Sequence, residues 1–185
     1  RPGLHEHGVV LVERPQRRIH GVVVLPGLRD HHQHRVRQRA TAEVQQLVPR
    51  TRELSEFLVD VLKVTDVVIC GHSNCGAMKA IATCQCLDPM PAVSHWLRYS
   101  DAAKAVVEKK TWANETDKVN GMVQENVIAQ LNNIKTHPSV AVGLRDSTLR
   151  LHGWFYDIES GDIRALDKNS KTFVSLSENP DVYFE

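Results

Sequence analysis

Val67-Val68-Ile69-Cys70-Gly71-His72-Ser73-Asn74-Cys75 joins an apolar, β-branched run to a His and a Cys three positions apart. The run predicts a buried strand over residues 66–70, because strands of parallel sheets read as continuous hydrophobic stretches. A helix is expected soon afterwards, over residues 77–82. His72 and Cys75 are therefore expected at the carboxyl end of a strand, where open α/β sheets bind their ligands.

Imidazole nitrogen and thiolate sulfur are both ligands of zinc, and a turn leaving a strand can bring side chains at i and i+3 onto one ion. Gly71 and Gly76 allow the backbone to bend closely around that ion. Zinc lowers the pKa of a bound water to about 7, which makes hydroxide available at neutral pH. A His-x-x-Cys pair is only half of a site, however, and a strand-end His beside a buried Cys without metal is the alternative for an isolated pair.

Four blocks of the sequence resemble, in the same order, the β-class carbonic anhydrases. Residues 70–78 are similar to the second zinc motif of that family, and residues 91–97, 125–131 and 151–158 continue the likeness. The resemblance runs from about Leu54 to about Leu166, and it is greatest to the bacterial enzymes that accompany cyanate breakdown. An unrelated α/β binding module is the remote alternative.

The resemblance implies a carbonate dehydratase, a zinc-dependent lyase that interconverts carbon dioxide and bicarbonate. It implies Zn²⁺ bound by His72 and Cys75, and a homo-oligomer, either a dimer or a higher assembly. The family's first motif is Cys-x-Asp-x-Arg or Cys-x-Ser-x-Arg, but no Cys precedes Cys70. The remaining thiolate ligand and the Asp–Arg dyad therefore have no counterpart, and the catalytic residues stay unknown. The alternative function is a non-catalytic or defective carbonic-anhydrase-like domain.

Residues 1–50 differ from the rest of the chain in composition. They contain nine Arg, no Lys, no Ser, no aromatic residue and six of the ten His, and their formal charge is +5 against −4 for residues 51–185. Such a break marks a domain boundary or a basic tail. A reading-frame error is a third explanation, and the arginine-rich, lysine-free composition favours it. We interpret residues 1–50 as an atypical basic segment, mistranslated or disordered, and residues 51–185 as a single α/β core.

Hydrophobic periodicity predicts the elements of that core. Helices are expected over residues 51–64, after Pro91, and over residues 119–135, with His137-Pro138 stopping the last. Residues 149–158 and 163–166 read as an antiparallel pair around a turn. We therefore predict the α/β class, with a mostly parallel central sheet flanked by helices and an antiparallel edge strand.

Other residues suited to binding metal have simpler interpretations. Cys70 is interpreted as a core residue of the strand, and Cys84 and Cys86 as free thiols. His152 and Trp154 are expected to pack or to form hydrogen bonds near a sheet edge. The cluster His31, His32 and His34 follows the apolar run of residues 22–25, where a strand-end ligand would be wanted. A solvated His-rich segment is the favoured interpretation of that cluster, and Arg29-Asp30 is not expected to replace the dyad.

Composition also limits the partners. The net charge of +1 gives no electrostatic argument for a nucleic-acid partner. No apolar run approaches the roughly 20 residues that span a bilayer, so no membrane partner is expected. Four cysteines within residues 70–86 indicate metal or free thiols rather than a disulfide framework. A cytoplasmic location is therefore predicted.

Overall fold

The computed structural model describes residues 7–14, 17–26 and 55–182, with side chains from residue 55 onward except that of Phe57. Its strands form one sheet in the order β1-β2-β3-β4-β5-β6, so neighbours in the chain are neighbours in the sheet. Their bounds are β1 His7–Arg14, β2 Arg17–Pro26, β3 Asp66–His72, β4 Arg150–Tyr156, β5 Ile163–Leu166 and β6 Phe173–Ser175.

The centre of the sheet is parallel and its edges are antiparallel. β3 runs parallel to β2 on one side and parallel to β4 on the other, with His72 opposite Tyr156 at the carboxyl ends. β5 pairs antiparallel with β4, and β6 pairs antiparallel with β5. The predicted α/β class with an antiparallel edge is confirmed. The antiparallel pair of β1 with β2 and the short β6 are additions to that prediction.

The helices within the described ranges connect the strands. Their bounds are α1 Gly76–Ala82, α2 Pro91–Leu97, α3 Asp101–Val107, α4 Glu115–Ile134 and α5 Pro138–Arg145. A 3₁₀ turn, Arg98–Ser100, separates α2 from α3, and a π-helical turn, Phe57–Val61, lies within the region predicted as the first helix. None of the helices in these described ranges has the length and apolarity needed to cross a bilayer.

Two helices differ from the predictions for physical reasons. α4 begins before residue 119 because Asn114 caps it, its Oδ1 accepting a hydrogen bond of 2.8 Å from the backbone N–H of Asp117. α5 was not predicted, since His137-Pro138 was interpreted only as a stop. Pro138 instead takes the first position of a new helix, where its missing N–H costs nothing.

α4 packs closely on one face of the β3–β4 pair. A Cβ added to Gly71 would lie 2.4 Å from Cγ1 of Val123, and one added to Gly153 would lie 2.7 Å from Cδ1 of Leu131. Both strands therefore need glycine where the helix crosses them. Val123 and Leu131 are buried, and complete burial of such a side chain contributes about 1.5–3 kcal/mol. This contact fixes the carboxyl end of β3, which carries the candidate site.

The basic segment, residues 1–50, includes β1 and β2, which belong to the same sheet as β3. The interpretation of this segment as mistranslated or disordered, and the division at residue 50, stay predictions. His31, His32, His34 and the Arg29-Asp30 pair lie outside the described residues.

Candidate metal centre

The candidate site is the turn that joins β3 to α1. β3 continues two residues beyond its predicted end and includes His72, while α1 begins at Gly76. Asn74 within the turn has a φ of +55°, a left-handed conformation that Asn tolerates better than most residues. The turn leaves His72 half-buried and Cys75 buried at the start of α1.

The structure brings the side chains of His72 and Cys75 together, as the spacing predicts. Their hydrogen bond raises the pKa of His72, although burial opposes this. Burial also opposes ionisation of Cys75, but the hydrogen bond with His72 and the backbone N–H groups of Met78 and Ala77 bring the pKa of its thiol below the usual value. The pair therefore favours the thiolate, which is the form of cysteine that binds metals.

One nitrogen of the His72 ring, Nδ1, forms a hydrogen bond with the backbone. Nδ1 lies 2.8 Å from the carbonyl oxygen of Ser73, and a carbonyl can only accept a hydrogen bond. Nδ1 therefore carries the proton in the neutral ring, and the lone pair of Nε2 is available to a metal. Histidine ligands of metals are commonly held in this way, with the other ring N–H donated to a carbonyl or carboxylate.

Neighbouring elements anchor the turn from two sides. The backbone N–H of Ser73 donates to the carbonyl of Tyr156 over 2.8 Å, and its Oγ accepts from the N–H of Ile158 over 2.9 Å. On the α4 side, Oδ1 of Asn120 accepts from the N–H of Asn74 over 3.1 Å. Sequence reasoning missed these supporting residues, since Ile158 and Asn120 are far from the motif along the chain.

The donor set of the pair fits zinc, because one imidazole nitrogen and one thiolate suit a borderline-soft ion. Within the described residues, no group of three or more His, Cys, Asp or Glu side chains could hold a metal ion. His72 and Cys75 could therefore supply two of the ligands that a tetrahedral zinc site needs, and their assignment as zinc ligands stays a prediction. His31, His32 and His34 lie in the part of the chain that is not described, so their interpretation as a solvated His-rich segment, rather than a further ligand, stays a prediction.

The other cysteines are separate from this pair. Cys70 is buried beside Val68, Trp154 and Tyr156. Burial raises the pKa of its thiol to about 12, and the interpretation of Cys70 as a core residue is confirmed. Cys84 and Cys86 are exposed free thiols, as predicted.

His152 and Trp154 pack together as expected, with their rings edge to face at a centroid distance of 6.4 Å. The expected position near a sheet edge is wrong, because β4 lies between β3 and β5 in the sheet. The Nε2 atom of His152 also lies 2.8 Å from Oδ1 of Asp66. This contact is at the amino end of β3, so neither ring is part of the His72–Cys75 pair.

The chain is similar to known carbonic anhydrases. The carbonic anhydrase family model matches residues 35–163, which includes the last part of the basic segment. Carbonic anhydrase 1 of Escherichia coli O157:H7 is 58% identical over 127 residues, covering 69% of this chain and 58% of that protein. The chain thus spans somewhat more than half the length of this curated relative.

Solved structures resemble the chain over a similar region. The β-carbonic anhydrase CcaA is 33% identical with a TM-score of 0.61, covering 65% of this chain and 55% of that one. A structure from a study of two tetrameric β-carbonic anhydrases of the filamentous ascomycete Sordaria macrospora is 26% identical with a TM-score of 0.56, covering 63% and 59%. Since the family model covers more than half of the sequence, and the solved structures share its fold, the chain belongs to the β-carbonic anhydrase family.

Proposed function

We propose that His72 and Cys75 bind zinc and that the reaction served by this site is the reversible hydration of carbon dioxide to bicarbonate. The observation that supports the proposal is the side-chain contact between His72 and Cys75 at the carboxyl end of β3. The contact lies within the region that matches the carbonic anhydrase family.

The residues of the turn have distinct parts in this proposal. His72 offers the lone pair of Nε2, because Nδ1 donates to the Ser73 carbonyl. Cys75 offers a thiolate whose ionisation is favoured by His72 and by the backbone N–H groups at the start of α1. When bound, zinc supplies the Lewis acidity that activates water toward carbon dioxide.

A non-catalytic carbonic-anhydrase-like domain is the second candidate function. It is supported by the sequence before Cys70, which contains no cysteine that could serve as the remaining thiolate ligand. It is also supported by the described residues, among which no third ligand accompanies His72 and Cys75. Loss of a ligand would change the charge of a zinc site, and loss of the Asp–Arg dyad would remove the residues that the family places beside the metal.

Stopped-flow measurement of carbon dioxide hydration tests both candidates. We expect the chain to hydrate carbon dioxide at or near the uncatalysed rate. A chimera with a family-type first motif ahead of Leu54 should gain activity, and His72→Ala in that chimera should abolish the gain. Strong activity in the unmodified chain would show that residues 1–50 supply the missing groups. An inactive chimera that retains zinc would count against the proposed reaction.

The assembly and location are further parts of the proposal. We infer a homo-oligomer, since one of the similar structures comes from a study of tetrameric β-carbonic anhydrases. Carbon dioxide and bicarbonate are the proposed ligands, the cytoplasm is the proposed location, and no nucleic-acid partner is proposed. Sedimentation velocity over a range of protein concentrations tests the assembly, and a single monomeric species throughout would contradict it.

A further inference from the structure

Ser73 lies between the two candidate ligands in sequence and uses every polar group it has. Its N–H donates to the Tyr156 carbonyl over 2.8 Å, and its Oγ accepts from the N–H of Ile158 over 2.9 Å. Its own carbonyl accepts from Nδ1 of His72 over 2.8 Å. The side chain is buried, with Ser73 only 3% exposed.

We propose that Ser73 is a positioning residue, which fixes the orientation and tautomer of the His72 ring by anchoring its own carbonyl to the end of β4. The two bonds hold Ser73 against the end of β4, one to Tyr156, the last residue of the strand, and one to Ile158, two residues further along the chain. The carbonyl of Ser73 is then held where Nδ1 of His72 reaches it.

The consequence for His72 follows from hydrogen-bond chemistry. The hydrogen-bond partner of one ring nitrogen determines the tautomer of a neutral histidine. A nitrogen that faces an acceptor carries the proton, and the other nitrogen keeps its lone pair. Because the Ser73 carbonyl is an obligatory acceptor, it selects the Nδ1–H form and leaves Nε2 unprotonated. Nε2 is then the ring nitrogen that remains for the hydrogen bond with Cys75. Removing Oγ of Ser73 leaves the Ile158 N–H without this acceptor and frees one side of the anchor.

A buried serine can instead contribute only to stability, so the test needs a matched control. Ser139 lies on α5 and is 7% exposed. Its Oγ donates a hydrogen bond of 2.6 Å to Oδ2 of Asp60. Like Ser73 it is a buried serine with a single side-chain hydrogen bond, but it belongs to another region. Ser139→Ala therefore reports the general cost of deleting such a hydroxyl.

The first measurement is made on the metal-free full chain and does not depend on the proposed function. Two-bond ¹H–¹⁵N correlation spectra identify the tautomer of His72 at a pH where the ring is neutral. Cys75→Ala is the background, so that no thiolate competes for the ring. We expect the Nδ1–H form in this background, and a shift toward the Nε2–H form when Ser73→Ala is added. Ser73→Thr, which keeps Oγ, and Ser139→Ala should both retain the Nδ1–H form.

Two results would overturn the positioning role. One is an unchanged tautomer in Ser73→Ala, and the other is a Ser73→Thr variant that behaves like Ser73→Ala. Thermal unfolding of all variants is recorded in parallel. A Ser73→Ala variant that loses stability to the same extent as Ser139→Ala, with no change of tautomer, has lost only packing and a hydrogen bond.

The second measurement concerns the metal and rests on the proposed function. Co²⁺ is titrated into the full chain with Cys75 restored, and its visible absorption is followed. We expect Ser73→Ala to weaken Co²⁺ binding by about tenfold or more, the usual effect of removing support for a histidine ligand. Ser73→Thr and Ser139→Ala should bind as the parent does. If the parent itself does not bind Co²⁺, the proposed metal site is wrong, and the tautomer measurement still decides the role of Ser73. If the tautomer changes but Co²⁺ affinity does not, Ser73 orients the ring without affecting the metal.

Discussion

Nε2 of His152 and Oδ1 of Asp66 lie 2.8 Å apart, at the end of the β3–β4 pair opposite His72. The same carboxylate also accepts hydrogen bonds from Nη2 of Arg150 over 2.9 Å and from Oγ1 of Thr65 over 2.7 Å. Asp66 is only 3% exposed. Burial opposes its ionisation, but the hydrogen bonds from His152, Thr65 and Arg150 outweigh burial. They hold the pKa of the Asp66 carboxyl far below its usual range.

Asp66→Asn should lower stability in a pH-dependent way. The folded-state pKa of Asp66 is depressed, so its stabilising effect is complete above the unfolded pKa of about 3.9 and is lost as the pH falls toward the folded value. At neutral pH we expect a loss of about 3 kcal/mol, the lower end for breaking a buried ion pair, because Arg150 is half-exposed. Urea unfolding at several pH values measures the difference, which should narrow below about pH 4. Asp146→Asn is the control, since Asp146 pairs with Arg145 on the surface and should contribute little. A loss that does not change with pH would contradict this assignment.

Gly71→Ala should destabilise the fold although it adds only one methyl group. The new Cβ would meet Cγ1 of Val123 at 2.4 Å, so α4 or β3 must shift. Overpacking of this kind costs about 1–3 kcal/mol, and urea unfolding measures the loss. Gly76→Ala is the matched control. A Cβ at Gly76 meets nothing within 4 Å. The stability of the Gly76→Ala variant should therefore be unchanged or slightly higher than that of the parent.

The same clash can be relieved from the helix side. In the Gly71→Ala background, Val123→Ala removes the Cγ1 atom that the new methyl meets. The double variant should therefore lose less stability than the sum of the two single changes. Simple additivity would show that the cost of Gly71→Ala does not come from contact with the Val123 side chain.

Zinc should be bound weakly by this chain. If water molecules are the only zinc ligands besides His72 and Cys75, the affinity for zinc should be far below that of a site with three protein ligands. The metal should then be lost on dialysis. Metal analysis of the dialysed protein measures this, and His72→Ala or Cys75→Ala should abolish any zinc that remains. Cys84→Ala and Cys86→Ala are controls and should leave the zinc content unchanged. One tightly held zinc per chain would mean that a residue such as His31, His32 or His34 completes the site.

The four thiols should react in two groups. Cys84 and Cys86 are exposed, whereas Cys70 and Cys75 are buried. A disulfide reagent added to the native chain should therefore modify two thiols quickly and two slowly, and denaturant should make all four react. Mass mapping of the labelled peptides identifies the fast pair. Rapid labelling of Cys70 would show that the Val68 side of the sheet is open to solvent.

The sequence was most informative where the signal was local. The apolar run of β3, the stripe of α4 and the strand β5 could be placed because each carries its own periodicity. The first turn of α4 is polar and depends on Asn114 as a cap, so periodicity alone placed the helix start too late. The region around the π-helical turn Phe57–Val61 was predicted as a regular helix, because its apolar spacing does not distinguish the two geometries.

In the candidate site, too, only the features with a local sequence signal could be predicted. His72 and Cys75 could be identified because their spacing and neighbours form a motif. The anchoring of Ser73 could not, since it depends on the end of β4, more than eighty residues later in the chain. The contact of Asp66 with His152 was missed for the same reason. Partners that meet only through the sheet register leave no pattern within either segment.

The close approach of α4 to Gly71 means that the Gly-His-x-x-Cys motif reflects helix packing as well as metal binding. The glycine directly before His72 is a requirement of helix packing, because any side chain there would meet Val123. A search for Gly-His-x-x-Cys therefore selects for a crossing helix as well as for metal chemistry. Transplanting only the two ligands into another sheet would copy the donors without the helix that holds their strand in place.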